Sequence, residues 1–347
     1  MTIEIYVNNK KRRKTGTSFF HAQWLLFNSR KKFGLLYCLS TMAGLFCCQG
    51  ILDLTTSQGD IQLLIQRTVP LPFITLLIAV GMYVLNDLID SDLDRANSKS
   101  SRPIPSGLVS RKQAWIFILL TNGSGIILSA ITFNIATILL VVPMTLIGIL
   151  YSAPKIALMS RFVVKNLSIA LFYMLCAILG ITFSYGIDGA INASIESIHS
   201  VIMLGIMIFV GSIVNDSGDI RGDKQAGRRT IPIVLGGEKT LKLLITLLAS
   251  MPVLSWMMFY ADTVIIDDNN RNNNDKDNPR DSSGDSLGTI AHPIAVSIVA
   301  FLGLARISKL GKRFEDMEFV RKQHKKWFPL HMVLQSGIIV GGLLLYL

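Results

Sequence analysis

The sequence predicts an all-α fold, a polytopic membrane bundle of nine transmembrane helices, and three observations carry that prediction. Of the 347 residues 50% are hydrophobic and only 16% charged, and the mean hydropathy is +0.48, too apolar for an ordinary soluble chain of this length. The apolar residues gather in runs of about 20, the length a helix needs to cross a bilayer. These runs lack strand alternation, and in lipid only helices or closed barrels satisfy every backbone group.

Taken in order, the spans fall at 33–54, 69–89, 113–133, 135–153, 163–186, 198–217, 241–262, 289–307 and 328–347. The first run, Phe33 to Leu54, exceeds a signal-peptide core and is followed by no clean small-residue cleavage site, so it reads as a retained helix. Residues 1–32 before it form a basic cytoplasmic segment, and residues 33–347 form the membrane domain. The second and sixth spans each end in an acidic motif, and the fourth ends in Tyr151-Ser-Ala-Pro-Lys155. Between the seventh and eighth lies a polar outer loop at about 263–288, rich in Asn, Asp and Ser from Asp267 to Gly288. Its composition cannot bury a core, and it lacks the ligand order of a calcium-binding EF-hand.

The distribution of charge tests this count. With a cytoplasmic N-terminus, the segments 1–32, 87–112, 154–165, 218–242 and 305–327 hold 8, 5, 3, 6 and 8 of the lysines and arginines, 30 of 34. Only Arg67, Arg271, Lys276 and Arg280 fall outside, a positive-inside bias that favours nine spans over eight or ten. The chain is therefore expected to be a multi-pass protein of the cell membrane, with its C-terminus outside. The formal charge of +11 does not indicate nucleic acid, because the basic residues are spread over short connections without a continuous face. Cys38, Cys47, Cys48 and Cys176 all lie in apolar runs without a CxxC pair, and His21, His199, His292, His324 and His331 show no metal-ligand spacing.

The chemistry is carried by a pattern that occurs twice, Asn86-Asp87-x-x-Asp90-x-x-x-Asp94 and Asn215-Asp216-x-x-Asp219-x-x-x-Asp223. At 100° per residue the three carboxylates of the first set sit at about 0°, 300° and 340° on a helix, and the second set repeats the geometry. Asp92 falls at about 140°, on the opposite side, and is left out. Carboxylates beside hydrocarbon are expensive and rarely kept without a role. Hard oxygen ligands in two facing sets suit Mg²⁺, which fills its octahedron with water and phosphate oxygens. Arg95, Lys99 and Arg102 follow the first set, and Arg221, Lys224, Arg228 and Arg229 the second, all able to meet phosphate oxygens. A divalent-cation transporter would instead place acids near mid-span, where this chain has almost none.

At these residues the chain resembles the UbiA superfamily of intramembrane prenyltransferases, whose hallmarks are two such motifs in cytoplasmic loops of a nine-helix bundle. The resemblance extends to Arg102-Pro103-Ile104-Pro105-Ser106-Gly107, to Gly227-Arg228-Arg229-Thr230-Ile231-Pro232, and to Tyr151 and Lys155, similar to a YxxxK element. It implies Mg²⁺ held by Asp87, Asp90, Asp94, Asp216, Asp219 and Asp223, and catalytic roles for Asp90, Asp94, Asp219, Asp223, Tyr151 and Lys155. It also implies a prenyl diphosphate bound through Asn86, Arg95, Lys99, Arg102, Asn215, Lys224 and Arg228. Read without the resemblance, Tyr151 is an interfacial aromatic and Lys155 a snorkelling lysine. Many relatives carry Arg-Pro before the first span. Here Asn28-Ser29-Arg30-Lys31-Lys32 has no proline, and Arg30 receives no role.

Within the superfamily the chain is most similar to the archaeal digeranylgeranylglyceryl phosphate synthases and the chlorophyll-synthase-like branch. The implied reaction transfers geranylgeranyl from its diphosphate to a lipid-soluble or amphipathic acceptor, first the glycerol hydroxyl of geranylgeranylglyceryl phosphate in archaeal ether-lipid synthesis, with an aromatic or tetrapyrrole ring of quinone, haem or chlorophyll-type synthesis as the alternative.

Overall fold

A computed structural model describes residues 17–47, 68–96, 102–191, 195–272, 282–311 and 313–344. Among them every regular element is helical, as the unbroken apolar runs require. The elements are α1 (Phe19–Phe46), α2 (Pro70–Ile89), the short α3 (Ser91–Ala96), α4 (Arg111–Ile131), α5 (Ile135–Ser152), a 3₁₀ turn (Leu158–Ser160), α6 (Val164–Ile191) and α7 (Ile195–Gly218). They continue with the short α8 (Ile220–Gln225), α9 (Ile231–Asn272), α10 (Ser282–Gly311), the short α11 (Met317–Lys325) and α12 (Trp327–Leu344). Seven are long and apolar enough to cross a membrane: α2, α4, α5, Val164–Thr182 of α6, Ser197–Gly218 of α7, Ile231–Ala261 of α9 and Ile290–Gly311 of α10. Large apolar side chains on their outer surfaces, Leu119, Ile127, Leu139 and Phe301 among them, are exposed, as a lipid-facing surface requires.

Local chemistry sets several boundaries. Ser110 and Gln113 form a reciprocal capping box that starts α4, and the Asn134 side chain accepts the Ala136 N–H at the head of α5. Gly236, at φ +76°, breaks α9 near its start, so its long rod begins close to the predicted span at 241.

Two boundaries differ from the sequence reading. Helix α1 begins at Phe19, well before the apolar run at Phe33, because Ala22, Leu26, Arg30 and Gly34 form a buried stripe at helical spacing through the basic stretch. The stretch read as an outer loop at 263–288 is helical up to Asn272 and again from Ser282, since a nucleated helix gains one bond for each residue it extends. The rest of that loop, 273–281, lies outside the described residues, as do residues 1–16, Lys99, and the last residues of the first and ninth predicted spans.

The long helices pack in chain order, and α12 returns to α1, closing a ring; α1 also packs along α6. That crossing is close enough to need glycine. A methyl group on Gly44 would fall on the Ala177 carbonyl, and one on Gly180 on the Thr41 carbonyl. Because α1 carries Arg30 and α6 carries Lys165, this contact sets the separation of two cations that line the site described below. Gly44→Leu should force the two helices apart at a cost of about 1–3 kcal/mol or more. A thermal midpoint of the detergent-solubilised variant equal to that of the parent would contradict the crossing.

Candidate active site

The first motif straddles the end of α2. Asn86 and Asp87 occupy its last turn, Asp90 caps it at φ −80°, ψ 1°, and Asp94 lies in α3. Backbone hydrogen bonds from Asp90 N–H to Asn86 O (2.9 Å) and from Asp94 N–H to Asp90 O (2.8 Å) carry the helical sense through the cap. Asp87, Asp90 and Asp94 are buried, whereas the Asp92 side chain is 76% exposed beside Arg95 and Arg111. The second motif repeats the plan at the end of α7. Asp216 closes the helix, Asp219 precedes α8 and Asp223 lies within it, with Asp223 N–H donating to Asp219 O at 2.9 Å.

Each motif is followed by a turn that returns an arginine to it. After α3, Arg102 to Gly107 fold into a tight turn, with Ser106 N–H donating to Arg102 O at 3.1 Å and Gly107 at φ +78°. After α8, Gly227 adopts φ +66° in a Schellman motif, its N–H on Lys224 O (3.1 Å) and the Arg228 N–H on Asp223 O (2.9 Å). A side chain at Gly227 would strain that left-handed backbone, and the reversal it makes aims Arg228 back into the site.

The six aspartates meet five basic side chains. Arg30 of α1 grips both Asp87 oxygens, its Nε 2.6 Å from Oδ2. Arg102 Nη1 donates to Asp87 Oδ1 at 3.0 Å and also to Asp94 Oδ2. Lys165 of α6 donates to Asp216 Oδ1 at 2.6 Å and lies 3.7 Å from Asp223 Oδ2. Arg228 bridges the motifs, with Nη2 2.5 Å from Asp90 Oδ1 and Nη1 3.4 Å from Asp223 Oδ1. Burial opposes its charge, but Asp90 and Asp223 outweigh that, so its pKa lies above the ordinary arginine value. Arg321 of α11 sits 3.0 Å from Asp219. Asn166, fully buried, adds a hydrogen bond to Asp216 Oδ2 at 3.1 Å.

The assigned residues divide on placement. Tyr151, in the last turn of α5, is close enough to Lys165, Asp216 and Arg228 to feel their charges. Asn86 is half-buried at the first motif. Asn215, Lys155, Arg95, Arg221, Lys224 and Arg229 are exposed; the Arg95 Nε donates to Pro105 O at 3.3 Å. Lys165, Asn166, Arg30 and Arg321 complete the site without having been assigned to it. Lys165 falls inside the predicted span 163–186, where an unpaired lysine is too costly, and that was the available signal. Arg30 continues the four-residue stripe of Leu26 and Gly34. Arg321 carries no local signal, because only tertiary packing brings α11 to the second motif.

Beside Asp87 the wall turns aromatic. Phe33 stacks on Tyr83 at 4.9 Å, the Tyr37 and Tyr83 hydroxyls are 3.2 Å apart, and the Arg30 guanidinium lies 5.8 and 5.9 Å from the Phe33 and Tyr83 rings. Such faces favour positive charge.

The donor set fits a hard divalent ion, being carboxylate oxygen throughout. One of those oxygens, Asp223 Oδ2, is buried and accepts no hydrogen bond. Among the described residues no three His, Cys, Asp or Glu side chains converge on one point as a metal centre. The carboxylates are held apart by the arginines and lysine between them.

Lys165 and Asp216 are nearly withdrawn from solvent, with side chains 9% and 1% exposed. Lys165→Met should therefore leave an uncompensated buried carboxylate and destabilise the protein by about 3–5 kcal/mol. Adding Asp216→Leu should recover most of that loss, measured as thermal midpoints of the single and double variants. A double variant no more stable than Lys165→Met would contradict the pairing.

Residues 44–266, which contain both motifs, match the model of the UbiA prenyltransferase family. The digeranylgeranylglyceryl phosphate synthase of Methanosphaera stadtmanae is 30% identical over 180 residues, 51% of this chain and 60% of that protein. That of Sulfolobus acidocaldarius is 34% identical over 181 residues, 49% of this chain and 60% of that one. The chloroplastic chlorophyll synthase of Oryza sativa subsp. japonica is 30% identical over 165 residues, covering 44% and 41%. The chain thus spans about three fifths of the synthases' length and two fifths of the chlorophyll synthase's. Among solved structures, one described for a digeranylgeranylglyceryl phosphate synthase in membranes has a TM-score of 0.60 at 19% identity, covering 93% of this chain and 98% of that one. A UbiA homologue from Archaeoglobus fulgidus bound to GPP and Mg²⁺ has a TM-score of 0.54 at 18% identity, covering 88% and 99%. At these identities the structures speak for a shared fold, and the family match carries the assignment: the chain belongs to the UbiA prenyltransferase family.

Proposed function

We propose that this protein is a Mg²⁺-dependent intramembrane prenyltransferase that moves a geranylgeranyl group from its diphosphate to the free glycerol hydroxyl of a prenylglyceryl phosphate. The observation that carries the reading is the Arg228 bridge between Asp90 and Asp223, which joins two aspartate motifs into one charged site above an aromatic wall. The relatives named for digeranylgeranylglyceryl phosphate synthesis support the acceptor. The likeness to chlorophyll synthase favours a second reading, in which the acceptor is a tetrapyrrole or aromatic ring.

Charge explains the need for metal. Each of the six carboxylates is already paired with one or more of five cations, so these pairs leave little free positive charge for a polyanionic diphosphate, and divalent cations would supply it. Asp87, Asp90 and Asp94 on one side and Asp216, Asp219 and Asp223 on the other would hold Mg²⁺, which supplies charge compensation for the departing diphosphate. Arg102 and Arg228 each already reach two carboxylates, and either can turn its fork to phosphate oxygens. The bond from the prenyl C1 to its diphosphate oxygen breaks, and an allylic cation develops at C1 as negative charge moves to the leaving group. The acceptor hydroxyl oxygen then bonds to C1, and its proton passes to an oxygen of the departing diphosphate. The apolar bundle keeps water from capturing the cation first.

We also read nine crossings, adding α1 and α12 to the seven apolar spans, with both motifs and the N-terminus on the cytoplasmic side by the charge rule.

Pyrophosphate release from geranylgeranyl diphosphate should require both Mg²⁺ and acceptor, and EDTA should abolish it. Asp90→Ala with Asp219→Ala should lower kcat by at least about 100-fold; activity surviving in that double variant would remove the two-motif mechanism. Offered prenylglyceryl phosphate and 4-hydroxybenzoate together, the enzyme should give the ether lipid by mass spectrometry. A prenylated benzoate as the main product would transfer the assignment to the second reading.

A further inference from the structure

The five cations at the motifs differ in how far they are withdrawn from solvent. The side chains of Lys165, Arg30 and Arg228 are 9%, 11% and 13% exposed, Arg102 is 30% exposed and Arg321 is 54% exposed. Arg321 therefore stands at the rim. It comes from α11, beyond the residues that the family model matches. Its Nη2 is 3.0 Å from Asp219 Oδ1 and its Nε donates to Gly218 O at 2.9 Å.

The helix that carries it is firmly seated. Asp316 caps α11 by accepting the Phe319 N–H at 3.0 Å, Arg313 pairs with Asp316 at 2.6 Å and lies 4.4 Å from the Phe319 ring, and Val320, Gln323 and Trp327 are buried. Gly218 leaves room for the crossing, since a methyl group there would come 2.9 Å from Arg321 Cγ. His324, on the same helix, is neutral at pH 7: burial first, then His331, push its pKa down to about 4 against the pull of Asp219. The α11 side chain that pairs with Asp219 is Arg321.

We propose that Arg321 is a specificity-determining residue, binding the phosphate of the prenylglyceryl phosphate acceptor at the rim of the second motif. The proposal rests on the acceptor reading above and adds the group that recognises it. On that reading Arg102 and Arg228, each set between two carboxylates, serve the leaving diphosphate. The acceptor must bring its hydroxyl to the same carbon while its own phosphate, too costly to bury in the apolar bundle, stays at the solvent edge. Arg321 is a cation at that edge, and it is paired with the second motif. Held by Asp219 and Gly218 through two of its five donors, it keeps the others of its planar fork for a phosphate.

The test uses the full chain in lipid nanodiscs with Mg²⁺, comparing wild type, Arg321→Gln, Arg321→Lys and Lys322→Gln. Substrates are geranylgeranyl diphosphate with either the prenylglyceryl phosphate or the same lipid lacking its phosphate. Arg321→Gln should raise the acceptor KM by about 10- to 100-fold, leave the diphosphate KM within about twofold and erase the preference for the phosphorylated acceptor. Arg321→Lys should restore part of it. An unchanged acceptor KM, an equal rise in the diphosphate KM, or the same effect from Lys322→Gln overturns the assignment. If wild type transfers to neither glyceryl lipid, the acceptor reading fails by itself. Direct binding of prenylglyceryl phosphate then decides about Arg321: affinity at least about tenfold weaker in Arg321→Gln upholds it, and equal affinity overturns it.

Discussion

Asp87 and Asp216 each close an apolar helix, and each is neutralised by a cation from the long helix that precedes its own in packing order: Arg30 of α1 and Lys165 of α6. A carboxylate withdrawn from water is strongly destabilising alone, and these two are 3% and 1% exposed. Most of the site's architecture follows from that pairing. Helix α1 must begin before Arg30, as it does at Phe19, and Lys165 must enter the first turn of α6. The close crossing of α1 on α6, through Gly44 and Gly180, holds together the two helices that carry these cations.

The same electrostatics links stability to chemistry. A cluster of six carboxylates would repel itself, so interleaved arginines and a lysine hold it together. Those cations are the donors a diphosphate needs. An arginine bridging two carboxylates can exchange one anion for another without entering a more hostile environment, and so the groups that stabilise the fold can also serve the leaving group. The gradient of exposure from Lys165 to Arg321 orders them by depth, from side chains withdrawn from solvent to one at the rim.

Much of this was legible in the chain. The duplicated Asn-Asp-x-x-Asp-x-x-x-Asp at the ends of apolar runs identified the motifs, because identical spacing keeps three carboxylates on one helical side. The segments after each motif were legible only as part of the family resemblance; that Gly107 and Gly227 turn the chain there with positive φ came from the structure. Lys155 and Lys165 show the limit of that reading. The resemblance to a YxxxK element singled out Lys155, which is exposed, while the buried lysine stands at the start of the next helix. Sequence distance along a turn does not say which of two lysines points inward.

Composition, run length and the placement of positive charge were enough to determine an all-helical membrane chain with two acidic motifs, because each depends only on local transfer energies and on helical period. Which cation meets which aspartate was decided by tertiary structure alone. Arg30, Lys165, Arg228 and Arg321 reach the motifs from four separate stretches of chain, and their partners depend on helix crossings set by contacts such as those of Gly44 and Gly218. Coulomb attraction rewards any such pairing; close packing selects one.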